Sequence, residues 1–189
     1  MTSTLLRAFV RLALVAIVLG TMAAAEAQPK LEMHRVGVSA DDGSGWHLAV
    51  SSKGSFSVRL PIPFNDFSTH DPTTGEVSYV VGGKSSEGIK FSVVETPASG
   101  KKPMDLAEIP KSLASNPANK VSDVSRSAGN GADTLSLTMG NATTTAHVRY
   151  IQMKGALYIL TVEYPDAYRE LVAANKDKFF DSFKPKVRS

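Results

Sequence analysis

Periodicity changes once in the last third of this chain, and that change constrains the fold more than any other feature. From Thr143 to Tyr164 the side chains alternate, with Lys154-Gly155 as a two-residue turn between two strands. From Asp166 to Phe183 the apolar residues recur at helical spacing. A half-buried strand is apolar on one face only. Here Ile151, Met153, Tyr158, Leu160 and Val162 gather on one face, while Tyr150 stands opposite Ile159 on the other. The strand from Ala156 to Val162 must therefore be covered on both sides. That predicts an α+β fold, a mostly antiparallel sheet of about six to seven strands flanked by helices on both faces.

The register can be carried outward. Leu135, Leu137 and Met139 share one side of a strand from Thr134, and a two-residue turn at Gly140-Asn141 would pair Met139 with Ala142, Leu137 with Thr144 and Leu135 with Ala146. Downstream, Asp166 follows Pro165 as a helix N-cap, Lys176 and Lys178 suit the negative helix end, and Tyr168, Leu171, Val172, Phe179 and Phe183 form the buried stripe.

Earlier elements are shorter. Residues 28–45 read as a lead-in, where Leu31, Met33, Val36 and Val38 suggest a short edge strand before the turn chemistry of 40–45. Trp46–Ser51 and Ser55–Leu60, joined at Lys53-Gly54, read as a hairpin that Pro61 and Pro63 end. Phe64–Gly75 is polar and turn-rich and predicts an exposed loop. Strands follow at Glu76–Val81 and Ile89–Glu95, and Pro97–Lys102 is a second loop. Met104–Asn116 has Leu106, Ile109 and Leu113 at helical spacing with Asp105 and Glu108 as a capping box, but Pro110 predicts a short or broken helix. A weak strand at Val121–Ser127 and a turn at Asn130-Gly131 lead into the last third.

Residues 1–27 carry the marks of a Sec-type signal peptide: Arg7 and Arg11, an apolar run from Leu12 to Gly20, and Ala25-Glu26-Ala27 as a small-x-small cleavage site. The apolar run, even extended to Ala25, is about 14 residues and falls short of the roughly 20 a spanning helix needs. The expected location is periplasmic or secreted, with no stable membrane insertion after cleavage. Residues 46–189 then form a single domain with one ordinary core. With no cysteine, the chain has no disulfide framework, thiol nucleophile or thiolate metal site. Net charge is only +3, and both signs are scattered, so nucleic acid is not an expected partner.

The order Trp46, Gly54-x-Phe56-x-Val58-x-x-Pro61, Tyr79-x-Val81, Leu157-Tyr158-x-Leu160 and Phe179-Phe180-Asp181-Ser182-Phe183 resembles the PsbP-like family over most of Trp46–Lys184. That resemblance implies an α/β/α sandwich shared with the photosystem II extrinsic protein PsbP and the Ran-binding Mog-type proteins. It also implies a non-catalytic accessory or protein-binding role without a cofactor, such as assembly or stabilisation of an envelope complex. The implied partner is another envelope protein. The matching residues are core and turn positions, so the resemblance carries a fold and no site.

Chemistry has few footholds. Acid-base and metal proposals must use His34, His47, His70 or His147. The best local cluster is Asp66, His70 and Asp71, one imidazole and two carboxylates placed to chelate a divalent ion if a single loop carries all three. This motivates the alternative of a small-ligand or divalent-metal-binding module. A second alternative is a hydrolase outside the recognised motifs, since no G-x-S-x-G elbow is present. Gly82-Gly83-Lys84-Ser85 fails the phosphate-loop spacing. Tyr158, Tyr164, Tyr168 and Trp46 are aromatic enough to line a groove, but burial is the commoner use of such residues.

Overall fold

The computed structural model describes residues 28–41, 43–98 and 103–186. Eleven strands run β1 (Lys30–Val38), β2 (His47–Val50), β3 (Phe56–Leu60), β4 (Phe64–His70), β5 (Val77–Lys84), β6 (Lys90–Pro97), β7 (Lys120–Gly129), β8 (Ala132–Gly140), β9 (Thr144–Met153), β10 (Ala156–Pro165) and β11 (Lys184–Pro185). Three short α-helices are α1 (Ile109–Ala114), α2 (Arg169–Ala173) and α3 (Lys176–Asp181). The main sheet has eight strands in the order β1-β4-β5-β6-β10-β9-β8-β7, all neighbours antiparallel. A second sheet has the order β11-β3-β2.

β10 lies between β6 and β9, and nearly every residue from Ala156 to Tyr164 is buried, as two-sided covering requires. One face packs Tyr158, Leu160, Val162 and Tyr164 with Phe91 and Val93 against the small sheet's Ala49, Phe56, Val58 and Leu60 and against Val172, Phe179 and Phe180. On the other face Leu157 and Ile159 join Leu135, Leu137, Val148 and Tyr150 beneath Leu106, Ile109 and Leu113. Burial pushes the Tyr150 phenol up to about 12.

The expectation of six to seven strands with helical layers on both faces is corrected on both counts. The main sheet alone has eight strands. One face carries a single six-residue helix with the 3₁₀ turn before it, and the other is covered by a second sheet and two short helices. Pro110 is accommodated because it falls in the first turn of α1, where its missing N–H has no intrahelical partner to lose. Asp105 caps the 3₁₀ turn by accepting from the Ala107 amide at 3.0 Å.

Three further expectations change. Phe64–Gly75 is not a loop up to residue 70, because β4 buries Phe64, Asp66 and Ser68 in alternation. Polarity misled there because two of the inward residues are polar and take hydrogen-bond partners distant in sequence. The β8–β9 register is offset by four residues from the two-residue turn, with Leu135 opposite Tyr150, Leu137 opposite Val148 and Met139 opposite Ala146. An even offset keeps every side chain on its expected face. The loop is longer because the Asn141 carboxamide accepts from the Thr143 and Thr144 amides and the Thr144 hydroxyl. Finally, the terminal helix is broken into a 3₁₀ turn at Asp166–Tyr168, α2 and α3, and Asp166 does not cap it.

That break has a local cause. The Asn175 side-chain amide donates to the Leu171 carbonyl at 2.9 Å, a bond that competes with the helix ladder. Phase resets after Ala174, so Val172 and then Phe179 and Phe180 turn inward while Leu171 is left 53% exposed. Arg149 over the Phe180 ring at 4.7 Å and Lys178 over Trp46 at 4.2 Å hold α3 in place. The lead-in holds a nine-residue strand, β1, hydrogen-bonded along β4. Residues 1–27, Asp42 in the turn at 40–45, and 99–102 in the loop Pro97–Lys102 lie outside the described residues.

Candidate functional site

Because Phe64–His70 is a strand, the cluster expected from Asp66, His70 and Asp71 is drawn apart. Four residues along an extended strand span roughly 13 Å. Asp66 is fully buried near the start of β4, whereas His70 is exposed at its end. Asp71 serves the next turn, accepting from the Thr73 amide at 2.7 Å and the Thr74 amide at 3.1 Å. Slight burial works to raise its carboxyl, and those two amides, together with the Thr74 hydroxyl and the neighbouring His70, hold it below its ordinary value. Among the described residues no group of three His, Asp or Glu side chains is placed to hold a metal ion.

Asp66 instead belongs to a hairpin anchor. Its Oδ2 accepts from Arg35 Nε at 3.0 Å, from Arg35 Nη2 at 2.5 Å and from the Ser52 amide at 2.9 Å. The same Arg35 Nη2 donates to the Val50 carbonyl. Asp66 Oδ1 is buried with no hydrogen-bond partner among the described residues. Two strands away, the fully buried Glu95 accepts from the Ser55 amide at 2.5 Å through Oε2. The loop joining β2 to β3 is thus held from beneath by two carboxylates of the main sheet. Gly54 makes this possible: a Cβ there would lie 2.6 Å from Glu95 Oε2 and 2.9 Å from Ser51 Oγ.

A second polar group lies on the same face of β8, β9 and β10. His147 Nδ1 is 3.0 Å from Thr138 Oγ1, and its Nε2 is 3.0 Å from the Tyr164 hydroxyl. The two rings stack with centroids 5.7 Å apart. Beside them, Thr145 Oγ1 donates to Asp166 at 2.6 Å. Burial, reinforced by the Lys176 charge, holds the imidazole below its ordinary pKa, so it is neutral at pH 7. Burial raises the Tyr164 phenol. Both imidazole nitrogens are engaged with hydroxyls, which gives a rigid, uncharged string. Periodicity could not reveal it, because Thr138, His147 and Tyr164 meet only through the register of three strands.

The third feature is the β1 edge. β1 is an outer strand of the main sheet, paired to β4 on one side and to no strand among the described residues on the other. Leu31, Met33 and Val36 are 53%, 43% and 72% exposed, half of the large exposed hydrophobics among the described residues. Leu31 pairs with Thr69 and Met33 with Phe67, so these two share one face. Glu32 and His34 take the other, where His34 Nε2 is 3.1 Å from Ser68 Oγ. No helix among the described residues is long and apolar enough to cross a membrane.

No protein-family model matches the chain. No curated protein matches it by sequence. Among solved structures it is similar to the solution structure of cyanobacterial PsbP (CyanoP) from Synechocystis sp. PCC 6803, with 12% identity over 88% of this chain and 98% of that one, at a TM-score of 0.43. The likeness falls to the family that the sequence resembles.

Proposed function

We propose that this chain is a non-catalytic, exported accessory domain that acts by contact with another envelope protein, from the periplasm or after secretion. One observation carries the reading: among the described residues half of the large exposed apolar ones stand on β1, an edge strand whose outer side pairs with no described strand. Such an edge offers main-chain donors and acceptors together with side-chain anchors, the two things strand addition uses. The interior polar groups support it from the other direction, since the two fully buried carboxylates are spent on anchoring a hairpin and His147 on joining strands.

Affinity capture of the exported protein from its own envelope tests the reading, with Met33→Lys as the paired control. A stoichiometric partner retained by the native chain and lost with the variant supports it. Equal recovery from both, or recovery of none, removes β1 as the contact.

A further inference from the structure

β1 carries a charge pattern that is complementary to itself. Its regular stretch against β4 runs from Lys30 to Met33, before the register shifts between Met33 and Arg35. Within that stretch the order is cation, Leu31, anion, Met33, with all four residues exposed. Opposite residues of an antiparallel pair point to the same face, and a two-fold axis normal to the sheet preserves face between copies. Centring that axis on Leu31 sets Lys30 of each copy opposite Glu32 of the other. Leu31 meets Leu31, and each Met33 lies opposite Pro29 at the strand entrance. Both ion pairs then fall on one face and the apolar residues on the other, continuous with Phe67 beneath Met33. Centring one residue further along would oppose Glu32 to Glu32, which like-charge repulsion disfavours.

We propose that the occupant of the β1 edge is a second copy of this chain, joined antiparallel about Leu31 so that the two main sheets become one. This rests on the reading of an accessory domain that acts by protein contact at β1, with the second copy holding that edge until a strand of another envelope protein displaces it. Few residues take part and little surface is covered, so the dimer is weak and concentration-dependent. The other outer strand of the main sheet, β7, is a poorer candidate, because its one large exposed apolar residue, Val124, lies within the bulge between Ser122 and Ser125.

Sedimentation velocity of the exported protein from micromolar to millimolar concentration reads the association, with circular dichroism confirming that each variant is folded. The native chain is expected to shift from monomer to dimer. Glu32→Lys, which sets cation against cation twice, is expected to weaken the dimer by about tenfold, and adding Lys30→Glu to it is expected to restore association. Leu31→Arg should leave a folded monomer, while Val124→Arg on β7 should dimerise like the native chain. A protein monomeric at every concentration overturns self-pairing and leaves the edge to a strand of another protein. A dimer broken by Val124→Arg, or indifferent to Glu32→Lys, also overturns it. Envelope capture is scored separately, so the failure of either reading is visible without the other.

Discussion

At the level of single residues, the buried polar groups hold the small sheet to the large one. Removing the Glu95 carboxylate takes its acceptor from the half-buried Ser55 amide and empties a fully buried site, so Glu95→Ala is expected to cost about 1–3 kcal/mol, and Glu95→Gln, which keeps an acceptor, less. Gly54→Ala drives a methyl against that same carboxylate and is expected to cost about 1–3 kcal/mol by overpacking. Urea midpoints measure both, and a native midpoint for either contradicts the anchor. His147 contributes a pH dependence of definite sign. Its folded pKa is depressed, so below about 6.5 the unfolded chain binds a proton that the folded chain refuses. Its contribution is present above that pH and is lost as pH falls through the lower folded value. His147→Gln should flatten this part of the stability profile, and an unchanged slope between pH 7 and 5 would refute the assignment.

Among the elements, the terminal segment has the largest consequence. Phe179 and Phe180 are buried, each worth roughly 1.5–3 kcal/mol, set against a total stability of about 5–15 kcal/mol for a typical domain. A chain ending at Asp177 loses both, together with Phe183 and β11, and is expected not to fold. Fluorescence of the single tryptophan, Trp46, reports the result through its burial in the native core. A cooperative melt of the truncated chain would contradict the expectation. Legibility varied along the chain for physical reasons. The pairing of Tyr150 with Ile159 was readable because Lys154-Gly155 is a tight turn that fixes register locally. β4 was not, since Asp66 and Ser68 face inward only by virtue of Arg35, Ser52 and His34, contacts that span 14 to 34 residues. The hairpin anchor and the Thr138–His147–Tyr164 string were hidden for the same reason. The terminal helix was legible as helical but not as broken, because one Asn side chain decides the break.

For the molecule as a whole, the separation of Asp66, His70 and Asp71 bears on ligands. A metal that bound the folded chain selectively would raise its melting temperature by mass action. Saturating zinc, calcium or manganese is expected to leave the melt unshifted. A rise abolished by His70→Ala would restore the metal-binding alternative.

The two-residue β11 pairs Lys184 with Ser57 and Pro185 with Phe56, and β6 waits for β10. The main sheet closes only when β10 joins β6, and the small sheet only when β11 reaches β3. Early-made segments therefore idle without their neighbours, and loop-closure entropy slows their union, so refolding belongs in the millisecond-to-second regime of all-β topologies. Until those distant strands meet, each sheet stays open at one edge, the condition in which a polypeptide can be threaded through a narrow conduit or seized by a chaperone.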